Sequence, residues 1–344
     1  MYKSFFRPIL FLFSPETIHH LLIRILKIYF AIPFKSFFVK RIFTINNPKL
    51  ERKVFGLTFK NPIGFAAGFD KNAEVFNELS NFGFSHIEIG TITPKAQKGN
   101  LKPRLFRLKK DDGLINRMGF NNFGAEAIVK NLKKKKHKII VGGNIGKNTN
   151  TSNDDAINDY AYCFDALYDY VDYFAVNVSC PNIANLSELQ DKDHLIKILS
   201  RIKELNSLKP RQKPILLKIA PDLTDKQLDD IIEVVISLKI DGVIATNTST
   251  GRNNLKTPAT IIEKIGHGGL SGKPLGYRST EVIKYISDKS DKAFPIIGVG
   301  GIHSIQDAVE KINAGATLIQ LYTGFIYEGP FLVRKINKAL LKIS

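Results

Sequence analysis

Asn177-Val178-Ser179-Cys180-Pro181-Asn182 places two carboxamides and a thiol together, directly after the apolar run Tyr173-Phe174-Ala175-Val176. A free thiol, with a pKa of about 8.5, is a usable base or nucleophile near neutral pH. Carboxamides both donate and accept hydrogen bonds to the edges of a polar ring. A β-branched and aromatic run that breaks into such a cluster reads as a buried strand delivering polar groups to its exposed end. The same residues also suit an ordinary strand-to-loop turn, since Asn, Pro and Ser favour turns. The elements around the cluster must decide between the two.

From about residue 54 the chain acquires a rhythm. Apolar runs recur at 62–68, 86–91, 139–144, 173–179, 214–219, 242–247, 295–301 and 318–323. They are nearly continuous, as parallel strands covered on both faces should be. Helical patterns separate most of them. Asp225 to Leu238 carries Leu228, Ile231, Ile232, Val235 and Ile236 on one side. Ser304 to Ala314 has Ser304 as N-cap, Asp307 three residues on, and Ile305, Ala308, Val309 and Ile312 toward a core. Eight strand-helix units favour an α/β fold of the closed (β/α)8, or TIM-barrel, type over an open sheet. The long segment between Gly90 and Lys138 is expected to hold an excursion over the barrel mouth.

In that fold the C-terminal strand ends carry the chemistry. Here those ends are Asp70-Lys71, Thr91, Asn144, Asn177, Lys218, Asn247, Gly300-Gly301 and Tyr322-Thr323. Gly298-Val299-Gly300-Gly301-Ile302-His303-Ser304 leads into a helix N-terminus, where free amides and the helix dipole favour a phosphate. Close strand-helix packing would explain the glycines equally well.

Residues 1–45 differ in character from the rest of the chain. Ser14-Pro15-Glu16 marks a helix start. Behind it Ile18, Leu21, Leu22, Ile25, Leu26, Tyr29 and Phe30 recur at helical spacing. No uncharged run is long enough to span a bilayer, and no cleavage site follows the apolar stretch as in a secretory signal. The segment reads as a pair of apolar-faced helices with basic flanks, lying in a membrane interface or packed as a cap on its own domain. Ile45-Asn46-Asn47-Pro48 reads as a linker.

The chain of 344 residues has a net charge of +18, with 44% hydrophobic and 24% charged residues. Its lysines are scattered, and the densest run, Lys133 to Lys138, reads as a solvated loop, so nucleic acid is not the expected partner. The only cysteines, Cys163 and Cys180, form no disulfide framework, which suits a reducing compartment. Cys163, in an aromatic helical stretch, reads as a small buried hydrophobe. No metal is expected.

Several motifs together resemble one family. They are Gly56 to Pro62, Ala66-Ala67-Gly68-Phe69-Asp70-Lys71-Asn72, Gly90-Thr91-Ile92-Thr93-Pro94, Pro103-Arg104-Leu105-Phe106-Arg107 and Asn116-Arg117-Met118-Gly119-Phe120-Asn121. Asn144 to Asn148, Gly242 to Thr248, Gly268 to Gly272 and Gly298 to Ile302 continue the series. In this order they resemble dihydroorotate dehydrogenase, specifically its membrane-associated, quinone-linked class. The resemblance implies oxidation of dihydroorotate to orotate in pyrimidine biosynthesis, with flavin mononucleotide (FMN) as cofactor and quinone as acceptor. It implies a flavin site at Ala67, Gly68, Phe69, Asp70, Lys71, Thr91, Asn144, Asn177, Lys218, Thr246, Gly272, Gly301, Tyr322 and Thr323. It implies substrate contacts from Lys71, Asn116, Arg117, Met118, Gly119, Phe120, Asn177, Asn182, Asn247 and Thr248, with Cys180 as the base.

By the same resemblance His19, Arg107 and Tyr322 line a quinone access route, although His19 also suits a plain surface position. Residues 1–45 become the membrane and quinone-access segment and 46–344 the catalytic barrel, placed peripherally on the cytoplasmic face of the cell membrane. The quinone class usually has serine where this chain has Cys180, and the soluble class has cysteine. A soluble-type enzyme using fumarate or NAD is therefore the alternative, with a flavin barrel acting on tRNA, a dihydrouridine synthase, more distant.

Overall fold

The apolar runs become the staves of a closed barrel in the computed structural model, which describes residues 2–179, 182 and 189–343. The strands begin with a hairpin, β1 (Arg52–Val54) and β2 (Leu57–Phe59), followed by β3 (Ile63–Phe65) and β4 (His86–Ile92). Next come β5 (Leu105–Leu108), β6 (Gly113–Asn116), β7 (Ile140–Ile145), β8 (Tyr173–Asn177) and β9 (Ile215–Ile219). The last are β10 (Gly242–Ala245), β11 (Gly269–Gly272), β12 (Ile296–Val299) and β13 (Ala316–Leu321). Strands β3, β4, β7, β8, β9, β10, β12 and β13 close in that order, β13 pairing back onto β3. All eight expected strands are the barrel's eight strands, and the fold is the expected TIM barrel with an N-terminal helical extension.

The N-terminal helices are α1 (Arg7–Leu10), α2 (Pro15–Ala31) and α3 (Lys35–Phe43). Around the barrel come α4 (Phe76–Leu79), α5 (Ala125–Leu132), α6 (Ala156–Leu167), α7 (Lys192–Ser207), α8 (Asp225–Ser237) and α9 (Ala259–Ile265). They continue with α10 (Gly276–Lys289), α11 (Ile305–Asn313), α12 (Thr323–Glu328) and α13 (Phe331–Ile343). The caps reflect the local chemistry. Thr224 and Gln227 form a reciprocal capping box on α8, and the Ser304 hydroxyl accepts from the Asp307 amide at the start of α11. Ile305 is the exception to its expected core face: it sits at the first helical position and is exposed, while Ala308 is buried.

Inside the barrel, large side chains are accommodated by glycines on neighbouring strands. A Cβ on Gly142 would lie 2.1 Å from the Tyr173 ring, and one on Gly64 2.1 Å from His86. Val54 and Phe59 of the β1–β2 hairpin join the cluster of Tyr173, Leu216, Ile244, Ile297 and Leu318, sealing one end. The other end is the mouth. There the expected excursion appears as the antiparallel pair β5–β6, extended by β11 into a three-stranded sheet. The third strand, from far downstream, has only four residues and two are glycine, which leaves no periodicity to read.

The N-terminal segment is fastened to this mouth. Ser14 caps α2 by accepting from the Thr17 amide. The apolar positions of α2 do not share one face as expected. Ile18 and Ile23 are buried, and Leu26 packs on the core, while Leu21, Ile25, Ile28 and Tyr29 point to solvent. The helix is apolar on two sides. Polar latches hold α2, Glu16 to Arg104 at 2.7 Å and Lys27 to Glu74 at 2.6 Å, and ahead of it Tyr2 Oη donates to the Ile326 carbonyl at 2.6 Å. Among the described residues no single helix is long and apolar enough to cross a membrane; the first two helical stretches meet at a bend of 113°.

Candidate active site

Strand register assembles the centre of the site. Gly90 pairs with Asn144 and Asn177 with Lys218 across neighbouring staves, so polar residues far apart in sequence meet at one end of the barrel. Asn177 Nδ2 donates to Thr91 Oγ1 at 2.9 Å and to Asn144 Oδ1 at 3.1 Å. Asn247 Nδ2 donates to Asn177 Oδ1 at 3.2 Å and to Ser179 Oγ at 3.1 Å. On the opposite wall Asn182 Nδ2 donates to Asn116 Oδ1 at 3.0 Å. These contacts fix the carboxamides in orientation, which is how a site recognises a ring of amide and imide groups. Asn177, Ser179 and Asn182 of the 177–182 stretch are thereby held in this carboxamide cluster.

Below this lies a buried ionic network. Lys218 Nζ donates to Glu88 Oε1 at 2.9 Å, and Asn144 Nδ2 donates to the same oxygen at 2.8 Å. Gln320 Nε2 and Tyr173 Oη donate to Oε2 at 3.0 and 3.3 Å. Burial pushes the Glu88 carboxyl up, but the Lys218 charge and the hydrogen bonds from Gln320, Lys218 and Asn144 outweigh it and hold the group below the ordinary carboxylate range. Neither Glu88 nor Gln320 stands among the residues expected from sequence. A signal for them exists: each is a lone polar residue in an apolar run, Ile87-Glu88-Ile89 and Ile319-Gln320-Leu321, and such residues are buried only with partners.

A second corner of the cavity is built from glycines and hydroxyls. Gly301 has a φ of +73°, and a Cβ there would lie 2.1 Å from the Cα of Gly276, the first residue of α10. Gly272 has a φ of +95°, and its Cβ would lie 2.4 Å from the Asp112 carbonyl oxygen. Ser271 and Thr323 hydroxyls stand 2.9 Å apart beside them. Backbone held this close, with hydroxyls alongside, forms a cradle for a phosphate-sized anion.

One continuous cavity joins these parts and runs out to α2. Ala67, Gly68, Phe69, Lys71, Thr91, Asn177, Lys218, Thr246, Gly272, Gly301, Tyr322 and Thr323 line it, as do Asn116, Met118, Gly119, Phe120, Asn182, Asn247 and Thr248. Ser271, Gly300, Ile302 and Gln320 line it too, beyond the expected set. Three expected residues do not. Asn144 lies beneath, in the Glu88 network. The Asp70 carboxylate accepts from the Glu74 and Val75 amides at 2.7 and 2.8 Å, and burial pushes it up to about 6. The Arg117 guanidinium packs over Phe106 and donates to the Ile265 and Pro103 carbonyls, so only its backbone runs beside the site. Cys180 lies outside the described residues.

At the outer end His19 and Leu22 of α2, Arg107 of β5, Phe69 and Tyr322 line the same cavity. The His19 ring meets Phe69 edge-on at 4.7 Å, and burial lowers its pKa to about 4. It is not a plain surface histidine. Arg107 donates to the Phe13 carbonyl at 2.6 Å and stacks on Phe11, and burial lowers its pKa. Burial pushes the Tyr322 phenol up to about 12. All three are uncharged or hydrogen-bonded, beside the apolar side chains of Leu22 and Phe69. Cys163 is fully buried on α6, with its thiol pushed well up by burial, as expected of a structural hydrophobe.

Comparisons with known proteins agree on one grouping. Residues 49–343 match the sequence model of the dihydroorotate dehydrogenase family. A protein of Christiangramia forsetii named dihydroorotate dehydrogenase (quinone) is 58% identical over 342 residues, covering 99% of each chain. One of the same name from Natronomonas pharaonis is 45% identical, over 98% of this chain and 93% of that one. Among solved structures, Eimeria tenella DHODH in complex with ferulenol superposes with a TM-score of 0.86 at 34% identity, covering 96% of this chain and 91% of the other.

Proposed function

The chain belongs to the dihydroorotate dehydrogenase family, and from that premise we infer how its residues divide the work. It oxidises dihydroorotate to orotate in pyrimidine biosynthesis, with quinone as the electron acceptor, as its quinone-type relatives of matching length indicate. The family is flavin-dependent, and FMN is the flavin form we propose here. The cavity suits it. Lys218 supplies a fixed cation for the ring, the Gly272–Gly301 cradle with Ser271 and Thr323 suits one terminal phosphate, and Gln320 has a buried Oε1 with no partner among the described residues. Bound flavin supplies hydride acceptance and onward electron transfer.

The chain's own residues do the rest. Asn116, Asn177, Asn182 and Asn247 hold the substrate ring by its amide and imide edges, and Lys71 meets its carboxylate. Cys180 takes the proton from C5, next to a carbonyl, and hydride leaves C6. A thiol does this near neutral pH with less help than a serine hydroxyl needs. His19, Arg107 and Tyr322 line the acceptor's route.

Residues 1–45 form the membrane-facing unit and 46–344 the catalytic unit. The N-terminal unit exposes Phe5, Phe6, Leu12, Ile28, Phe34, Phe37 and Phe38 beside Lys3, Arg7, Arg24, Lys35 and Arg41. That combination suits the interface of an anionic bilayer, and supports a peripheral position on the cytoplasmic face of the cell membrane.

The observation that carries this reading is the single cavity joining a carboxamide cluster, a cation and an anion cradle to the inner face of α2. The test is direct. The purified protein should be yellow, be bleached by dihydroorotate, and be reoxidised by a soluble quinone analogue faster than by fumarate or NAD. A folded preparation that takes up no FMN would sink the cofactor assignment.

A further inference from the structure

An isolated ammonium in a cavity wall tends to shed its proton, because burial disfavours the charged form. Lys218 is buried and lines the cavity, yet its role beside the flavin requires a standing positive charge. Glu88 sits behind it. The Glu88 side chain is wholly buried and does not line the cavity. Its two oxygens accept from four donors on four other staves: Lys218 of β9, Asn144 of β7, Tyr173 of β8 and Gln320 of β13. Each of these contacts donates toward the carboxylate, an arrangement matched to its ionised form.

We propose that Glu88 is the positioning residue that keeps the Lys218 ammonium charged and directed into the cavity in both redox states of the flavin. The proposal rests on the reading of Lys218 as the flavin's cation. The substrate delivers two electrons and one proton as hydride from C6, and its C5 proton leaves separately. With Lys218 already charged, the negative charge gained by the reduced flavin meets a preformed partner, and no proton moves from solvent to the lysine. Without Glu88 the ammonium has no carboxylate behind it, and part of the charge gained on reduction would be balanced by a further proton. Among the described residues, the other titratable groups facing the pair are Tyr173 on β8 and His86 on β4, with Lys71 among the cavity's lining residues. Burial, and next the Glu88 charge, drives the Tyr173 phenol well above its usual range, and burial lowers His86 to about 4. Neither changes charge between pH 7 and 9.

The experiment is potentiometric titration of the FMN-loaded enzyme from pH 7 to 9, for wild type, Glu88→Gln and Lys218→Met. The wild type should take up one proton per two electrons throughout. Glu88→Gln should take up two over part of the range, so that its potential falls more steeply with pH. A wild-type slope in Glu88→Gln, or a two-proton slope in the wild type, overturns the proposal. Lys218→Met separates this failure from that of the underlying reading: an unchanged potential there means that Lys218 does not face the flavin. If Glu88→Gln does not fold or load, the wild-type slope and Glu88→Asp decide. Glu88→Asp keeps the charge and must keep the one-proton slope.

Discussion

Glu16 of α2 and Arg104, just ahead of β5, form a buried ion pair, with Oε1 and Nη2 2.7 Å apart. The other side of the Arg104 fork donates to the Lys98 and Asn100 carbonyls at 2.6 and 3.0 Å. Asn100 Nδ2 in turn donates to the Asn182 carbonyl at 3.3 Å. The N-terminal segment is thereby tied to a loop of the substrate wall by three residues.

Breaking this pair should loosen α2. Removing one partner of a buried pair costs roughly 3 kcal/mol, so Glu16→Gln should lower the melting temperature and speed proteolysis within residues 1–45. Burial raises the Glu16 carboxyl, but the Arg104 hydrogen bond and charge, with Lys102, outweigh it and leave it below its ordinary 4.5. A depressed folded value means the stabilisation is complete above 4.5 and is lost as pH falls through the folded value. Acid titration of protease resistance should show this loss in the wild type and not in Glu16→Gln.

Cys180→Ala should slow flavin reduction by dihydroorotate by roughly a hundredfold or more, with a much smaller change in substrate affinity. Stopped-flow measurement against pH should give a wild-type rate rising through one ionisation. An unaffected rate in the variant would remove Cys180 from the chemistry.

Gly301→Ala adds a Cβ that would lie 2.1 Å from Gly276 at a φ of +73°. The cradle must open to admit it. The variant should purify with little FMN, which the ratio of flavin absorbance to protein absorbance reads directly.

Phe37 and Phe38 are 60% and 58% exposed on α3. Burying one phenylalanine in an apolar phase is worth about 1.5–3 kcal/mol. Replacing both by serine should weaken liposome co-sedimentation by roughly tenfold or more, while leaving flavin reduction by dihydroorotate intact. Undiminished sedimentation would place the membrane contact elsewhere.

The sequence by itself determined the barrel. Continuous β-branched runs alternating with amphipathic helices have few ways to bury their apolar surface, and local pattern alone marks the eight staves and the caps at Ser14 and Ser304. It also determined which strand ends are polar, and Lys71, Thr91, Asn177, Lys218, Asn247, Tyr322 and Thr323 among them line the cavity. Only tertiary structure decided how those residues are used. Asp70 and Arg117 stand in the right motifs, yet their side chains serve backbone groups beside the site. Glu88 and Gln320 are mere interruptions of apolar strands, and Tyr173 one aromatic in another, until barrel closure joins them in the network that holds Lys218. Leu21, Ile25 and Tyr29 have the spacing of a core face and point outward, because α2 has the barrel on one side only. Hydrophobic period is set by neighbours along the chain, so it reads from sequence. A hydrogen-bonding partner across the barrel is set by strand register and closure, and no local pattern encodes it.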